Sequence, residues 1–215
     1  MAFRGFPPEC LTFYEGLERD NSRAYWTAHR DEFENAVRGP MRELLVTLDE
    51  QWGPFHIFRP NRDVRFSKDK SPYKTHIGLH FRHEQGRDAH TPGFYLHLEP
   101  GASFVGLGLW HPDRPTLTCL RDAVVADPAA WKRAAGGGRF TQVFTVSGDE
   151  LVRVPSGYDP EHPLADVLRL KDYTAFAPLT SRQVTGPGFL DAFADLCRAG
   201  APFMTWQCRA LDLPF

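Results

Sequence analysis

The stretch that decides the fold is 94–110, which reads FYLHLEPGASFVGLGLW. Apolar residues alternate with polar or small residues on both sides of Pro100-Gly101, a dipeptide typical of a turn. A period of two is the pattern of a β-strand with one buried face. The stretch therefore predicts two antiparallel strands joined by a short turn. Gly106 and Gly108 leave one strand face bare, so we expect a helix, another backbone or a ligand to pack closely there.

The same alternation occurs upstream, over 73–83. Ile77, Leu79 and Phe81 fall on one face of this segment, which predicts a further strand with an apolar side towards the core. Around Ser147-Gly148-Asp149, the stretch 144–154 predicts a strand pair. The strands therefore cluster in the middle of the chain.

Helical periodicity is found on either side of these strands. We expect an N-terminal helical part at about 7–52, a central sheet at about 55–154 and C-terminal helices at about 187–211. Gly39-Pro40 predicts a break between two N-terminal helices, and Pro202 predicts the start of a separate last helix. Strands that do not alternate with helices favour an α+β class. The whole chain is expected to form one domain with a mainly antiparallel sheet.

Composition excludes some broad classes of protein. The 215 residues carry a net charge of −2, which argues against a globally basic protein that coats nucleic acid. No apolar run approaches the roughly 18 residues of a membrane-spanning helix, and the start of the chain lacks the apolar core of a signal peptide. We therefore expect a soluble, cytoplasmic protein without a membrane partner. The four cysteines have no zinc-site or redox spacing, so free thiols are expected. They are Cys10, Cys119, Cys197 and Cys208.

The basic segment, residues 59–76, concentrates positive charge. It holds six basic residues against two acidic ones, in a chain whose net charge is negative. Arginine supplies a planar fork for a phosphate or carboxylate, and lysine supplies a compact charge. The turn expected at 67–72 would add backbone donors, so the segment predicts an anion site. The alternative is a solvated loop whose charges pair with Asp63 and Asp69.

Several motifs together resemble one family. The signature-like run is Arg62–Lys74, RDVRFSKDKSPYK, and it resembles the family known as domain of unknown function 2461. Further similar segments follow that family's order along nearly the whole chain. They are 21–26, 95–101, 106–110 and 155–163, with Lys171 beyond. Two positions depart from the family pattern: Ala24 replaces a frequent Glu, and Leu107 interrupts a glycine run. The resemblance implies a family-wide α+β domain and implies no activity.

The polar residues within these motifs form our candidate site, because core packing needs none of these residue types and burying them unpaired is costly. His97 is the candidate general acid or base, oriented by Glu99 or Asp63, with Tyr73 as a candidate hydrogen-bond donor. The candidate ligand-binding residues are Arg23, Arg62, Arg65, Ser67, Lys68, Lys74, Tyr158 and Lys171. Together they predict an anionic small-molecule site. Nucleic acid or an acidic protein is a disfavoured alternative partner, and a purely structural charge network is a third hypothesis.

Histidines are concentrated near this site. Five of the nine fall between 76 and 97: His76, His80, His83, His90 and His97. A two-histidine, one-carboxylate metal set could form from His97, Glu99 and either His76 or His80, provided that the strand register is right. The sequence alone assigns no metal ligand and leaves the cofactor, the reaction, the substrate and the oligomeric state open.

Overall fold

A computed structural model describes residues 3–52, 55–82 and 91–214. The helices are α1 Glu9–Arg19, α2 Arg23–Ala28, α3 Arg30–Glu32, a π-helical segment Phe33–Arg38, α4 Gly39–Trp52, α5 Arg114–Ala126, α6 Pro128–Ala135, α7 Phe140–Val143, α8 Ala165–Arg169, α9 Ser181–Thr185 and α10 Phe189–Ala210. The strands are β1 Phe55–Ile57, β2 Ile77–Arg82, β3 Gly93–Leu98, β4 Phe104–Leu109, β5 Thr145–Ser147 and β6 Tyr173–Pro178. His83 and His90 lie outside the described residues. None of the described helices has the length and apolar character that crossing a membrane requires.

The six strands form one antiparallel sheet in the order β1-β2-β3-β4-β6-β5. At one edge, β1 pairs with β2 in a register that places Phe55 opposite Phe81. At the other edge, β5 pairs with β6, with Val146 opposite Ala175. The α+β class and the predicted run of adjacent antiparallel strands are therefore confirmed.

The chain groups into two compact units. Unit 1 comprises Met1–Phe81, Tyr95–Val105 and Pro178–Ala194. Unit 2 comprises Arg82–Phe94, Gly106–Ala177 and Asp195–Phe215. That the chain forms a single domain stays a prediction.

Unit 1 has an aromatic core. The ring of Phe13, which is fully buried, lies 5.8 Å from that of Trp26 and 5.5 Å from that of Phe33. Such edge and tilted contacts add to the free energy gained by burying apolar area. Trp26 is held in place because the Ser22 side chain caps α2, accepting the Tyr25 N–H. This helix is one of the elements that position the basic segment, as described below.

Unit 2 is built around Trp131. Its ring lies 4.8 Å from that of Trp206 and 5.7 Å from that of Phe203. The bare face predicted for β4 lies against neighbouring backbone: a Cβ at Gly108 would lie 2.1 Å from the Tyr173 carbonyl oxygen. Gly108 also has a φ of +108°, where side chains are strained. Glycine is therefore required at this position for two separate reasons.

Two predicted helix breaks are wrong. The Phe33–Arg38 segment leads directly into α4 at Gly39, so the helix continues through Pro40, whose missing N–H falls where the hydrogen-bond ladder changes from π-helical to α-helical spacing. At the C-terminus, α10 continues through Pro202 as a single helix. The buried positions Cys197, Met204 and Cys208 share one stripe across the proline, and burying that stripe outweighs the lost hydrogen bond.

The strand pair predicted over 144–154 is also wrong. Only Thr145–Ser147 forms a strand there, and its partner is Tyr173–Pro178, which the alternation pattern did not predict. Thr174 Oγ1 donates to the Ser147 carbonyl and reinforces this pairing. A partner some thirty residues away leaves no local signal in the sequence.

Candidate functional site

Strand β3 presents a polar face in unit 1. Leu96 and Leu98 are fully buried on one side of the strand. Because strand side chains alternate, Tyr95, His97 and Glu99 share the other side. This is the face that the alternation predicts for His97 and Glu99. We call Tyr95, His97 and Glu99, together with the adjacent His76, the β3 cluster.

His97 is held on both of its ring nitrogens. Nε2 lies 3.0 Å from Glu99 Oε2, and Nδ1 lies 3.2 Å from the Tyr95 hydroxyl. A carboxylate only accepts, so Nε2–H donates to Glu99 and Nδ1 accepts from Tyr95 in the neutral ring. His97 is 8% exposed, and its ring stacks on Phe104 with centroids 4.6 Å apart. Tyr95, His97 and Glu99 thus form one hydrogen-bonded chain.

The Glu99 carboxylate is itself oriented. Thr75 Oγ1 donates to Oε1, the oxygen that does not contact His97, at 3.4 Å. The Ser103 hydroxyl accepts the Glu99 N–H at 3.1 Å and donates to the Glu99 carbonyl at 2.8 Å. These bonds close the predicted Pro100-Gly101 turn, in which Gly101 has a φ of +71°. The turn therefore fixes the residue that supports His97.

His76 lies directly beside His97, with ring centroids 4.3 Å apart. Burial, together with the neighbouring His97, lowers the pKa of His76 to about 4. Burial also lowers the pKa of His97, although Glu99 acts in the opposite direction. Both imidazoles are therefore neutral at pH 7. One donor atom from each of His76, His97 and Glu99 lies within 4.8 Å of the other two, so these three residues could hold a metal ion.

The Tyr95 hydroxyl fits against β2. A Cβ at Gly78 would lie only 2.4 Å from it, so the missing side chain at Gly78 makes room for the phenol. Burial, and to a lesser extent Glu99, raise the pKa of Tyr95 to about 12. Tyr95 is therefore a neutral hydrogen-bond donor at pH 7, as its contact with His97 requires.

Lys74 provides positive charge at the β3 cluster. Its Nζ lies 5.1 Å from the Phe58 ring centroid, and Phe58 in turn contacts the ring of Tyr95 at 6.0 Å. Partial burial, with the nearby Arg59, lowers the pKa of Lys74. The charge of Lys74 also contributes to the lowered pKa values of His76 and His97. Of the predicted anion-binding residues, Lys74 is thus associated electrostatically with the cluster.

The two arginines of the basic segment bind its own acidic residues. Arg65 donates through Nε and Nη2 to the Asp63 carboxylate, at 2.9 and 2.6 Å. Arg62 forms an ion pair with Asp69, which also accepts the Ser71 hydroxyl at 2.6 Å. These hydrogen bonds hold the pKa values of both carboxyls below their usual range. The carboxylate that contacts His97 is that of Glu99, whereas Asp63 binds Arg65.

Other predicted binding residues of the segment lie at its surface. Lys68 is exposed, and Ser67 is partly exposed. Lys70 folds back and donates to the Val64 carbonyl at 2.9 Å. Phe66 is 96% exposed, with the Arg65 guanidinium 5.9 Å from its ring centroid. The loop therefore presents the exposed aromatic ring of Phe66 beside its charged side chains.

Tyr73 anchors the basic segment to α2. Its ring stacks on Trp26 with centroids 4.3 Å apart, and it is 8% exposed. The Asn21 side chain accepts the Tyr73 N–H and donates to the Tyr73 carbonyl, both at 3.0 Å. Arg23 lies exposed in the first turn of the same helix. These contacts give Tyr73 a packing role.

Two predicted residues belong to unit 2. The Tyr158 hydroxyl donates to Asp122 at 2.8 Å. Burial and this carboxylate raise the pKa of Tyr158 to about 12. Lys171 is exposed, and its backbone N–H donates to the Asp149 carbonyl at 2.7 Å. Within unit 2, the partner of Tyr158 is thus the Asp122 carboxylate, and the partner of the Lys171 backbone is the Asp149 carbonyl.

Sequence reasoning missed three residues of the site. Tyr95 was available from the alternation, because it shares the face of His97 two residues away. Thr75 and Ser103 carry no comparable signal, since their contacts with Glu99 depend on how two loops fold. The missed residues thus include the partner that occupies Nδ1 of His97.

Comparison with known proteins agrees with the resemblance drawn from the motifs. No curated protein and no solved structure gave a match. A family model does match, over residues 9–206, and its description is conserved hypothetical protein (DUF2461). Because this match covers nearly the whole chain, the protein belongs to the DUF2461 family of conserved hypothetical proteins.

Proposed function

We propose that unit 1 binds an anionic small molecule at the β3 cluster and that His97 acts there as a general base. The observation that carries the proposal is the position of His97, which is buried between the Tyr95 hydroxyl and the Glu99 carboxylate. A histidine oriented by a carboxylate is a common proton acceptor in enzymes. The family's description names no activity, so the argument depends on this geometry.

The proton would pass through Tyr95. His97 itself is 8% exposed, whereas Tyr95 is more accessible. As a ligand proton transfers to the Tyr95 oxygen, the Tyr95 proton transfers to Nδ1 of His97. The imidazolium that forms is stabilised by Glu99 through Nε2–H. The lowered pKa of His97 keeps the ring free to accept this proton at pH 7.

Lys74 would bind the anionic group of the ligand. Its ammonium is partly buried beside Phe58, and its charge acts on both histidines of the cluster. A cation in such a partly desolvated position attracts an anion more strongly than an exposed one does. Arg62 and Arg65 already bind Asp69 and Asp63, so they contribute less to this role.

A thermal-shift panel tests the proposal. Phosphate esters, nucleotides, and di- and tricarboxylates are added to the metal-free wild type, to Lys74→Ala and to the exposed control Lys68→Ala. A ligand at a hundred times its Kd adds about 2.7 kcal/mol, or several degrees at roughly 2–4 °C per kcal/mol. We expect one class to shift the wild type and Lys68→Ala but not Lys74→Ala. Equal shifts in both variants, or none in the wild type, would contradict the proposal.

One observation favours a second candidate function, the binding of single-stranded nucleic acid. Phe66 is 96% exposed beside the Arg65 guanidinium, and such a ring can stack on a nucleic-acid base. The salt dependence of binding separates the two candidates: several phosphate contacts would make the affinity for a single strand fall steeply with salt. We rank this candidate second because both arginines of the loop are paired with carboxylates.

A further inference from the structure

The β3 cluster contains a donor set suited to a metal ion. His76 directly precedes β2, His97 lies in β3 and Glu99 directly follows β3, so the three residues come from the ends of two neighbouring strands. We propose that His76, His97 and Glu99 bind a divalent first-row transition-metal ion, such as Zn²⁺ or Fe²⁺. Two imidazoles and one carboxylate suit these ions, whereas Mg²⁺ and Ca²⁺ prefer all-oxygen sites.

The distances are close to those of a bound ion. One donor atom from each residue lies within 4.8 Å of the other two, and His97 Nε2 is 3.0 Å from Glu99 Oε2. Ligands at about 2.0–2.1 Å from a tetrahedral ion are about 3.3 Å apart. The His97–Glu99 separation is within about 0.3 Å of this value, and the His76 donor atom lies within 4.8 Å of both.

The groups that would support such a site are also present. A metal-binding histidine normally donates its second ring N–H to a fixed acceptor. With an ion on Nε2, Nδ1 of His97 would carry the hydrogen, and the Tyr95 oxygen 3.2 Å away would accept it. Thr75 binds the second oxygen of Glu99, and Ser103 fixes its backbone. His97 and Glu99 therefore each have a partner that orients them.

The metal site shares the β3 cluster with the proposed function and goes beyond it, but metal binding itself does not depend on that function. The ion would take the place of the hydrogen between His97 and Glu99. His97 could therefore act as a general base only in the metal-free protein. Three protein ligands leave a coordination position open. The anionic group of the small molecule would occupy that position, with Lys74 beside it.

Metal binding is measured directly on the full chain. Chelator-treated protein is titrated with Co²⁺, whose visible absorption reports its coordination, and then with Zn²⁺ by calorimetry. The variants are His76→Ala and Glu99→Gln, and the control is His56→Ala, which removes an exposed histidine of β1. We expect one equivalent to bind to the wild type and the control. Removing a ligand should weaken binding at least about 100-fold. Tyr95→Phe, which removes only the group that orients His97, should weaken it about 10–100-fold.

Circular dichroism on the same samples verifies that each variant is folded. His76→Ala is the critical variant, because His76 is only partly buried and lies outside the hydrogen-bonded chain. Absence of binding to folded wild type, or equal affinity in folded His76→Ala and wild type, would overturn the inference. If His76→Ala does not fold, Tyr95→Phe decides: unchanged metal affinity in that variant overturns the inference.

The two proposals fail in different ways. The anion panel on chelator-treated protein tests the proposed function without metal. A Lys74-dependent anion shift with no metal binding leaves the proposed function standing and refutes the metal site. Metal binding that depends on His76 and Glu99, without an anion shift in either the metal-free or the loaded protein, supports the metal site and refutes the proposed function.

Discussion

Replacing Gly78 by alanine should disturb the β3 cluster without touching any of its polar groups. The new Cβ would lie 2.4 Å from the Tyr95 hydroxyl and 2.9 Å from its ring, about 1 Å inside an ordinary contact. The β2 backbone is held in place because the Gly78 carbonyl accepts the Phe58 N–H at 3.0 Å. We therefore expect Tyr95 to move and to leave Nδ1 of His97.

The expected cost can be worked out from these contacts. Overpacking a buried site costs about 1–3 kcal/mol, and alanine returns roughly 0.5–1 kcal/mol through lower backbone entropy of the unfolded chain. The net loss is therefore up to about 2.5 kcal/mol, which lowers the Tm by up to roughly 10 °C for a chain of this size.

A double-mutant cycle isolates the contact. Thermal melts and urea unfolding are recorded for Gly78→Ala in the wild type and in Tyr95→Ala, where both close contacts are absent. The second background should make Gly78→Ala neutral or slightly stabilising, so the coupling free energy should equal the overpacking cost of about 1–3 kcal/mol. The same change in stability in both backgrounds would refute the packing of Tyr95 against Gly78.

Three further predictions concern other parts of the chain. Because the pKa of His76 is lowered to about 4, its neutral imidazole stabilises the fold fully above about pH 6.5, and this contribution is lost as the pH falls towards 4. Allowing for partial exposure, the free energy of unfolding of the wild type should fall by about 2 kcal/mol more than that of His76→Gln over that range. Urea titration at each pH measures the difference. Asp172→Ala should cost about 1–3 kcal/mol in urea unfolding, because this buried carboxylate accepts two backbone N–H groups in unit 2; a smaller loss would mean that water replaces it. Arg65→Ala should leave the Tm unchanged, since its ion pair with Asp63 is exposed; a clear drop would favour a structural charge network.

The sequence predicts the middle of the sheet well for a physical reason. Burial of one strand face imposes a period of two, so Ile77, Leu79 and Phe81 could be assigned to the core, where they are at most 4% exposed. The same alternation put His97 and Glu99 on one face. A one-residue error would have reversed these faces, so the pattern carries both fold and site.

Features set by distant contacts could not be predicted in this way. Strand β6 lies between β4 and β5, although more than sixty residues separate it from β4 along the chain. Pro202 reads as a helix start, yet tertiary packing carries α10 through it. In both cases the deciding free energy is that of burial against elements far away in sequence.

The basic segment shows a second kind of limit. Its positive charge was evident, and an anion site followed as one hypothesis. Whether Arg62 and Arg65 would bind a ligand or the loop's own carboxylates depends on the turn geometry, which brings Asp69 and Asp63 to them. Charge counts record which groups are present, whereas pairing depends on backbone conformation.

The central claim is that His97 is a neutral imidazole linking Tyr95 to Glu99, and NMR of the ring nitrogens of His97 tests it most directly. The measurement uses chelator-treated protein labelled with ¹⁵N on histidine, with His97→Gln for assignment. At pH 7 we expect the Nε2–H tautomer, with Nδ1 unprotonated and shifted by the hydrogen bond from Tyr95, and we expect Tyr95→Phe to remove that shift. A charged imidazolium at pH 7, or an Nδ1–H tautomer in the metal-free protein, would contradict the account.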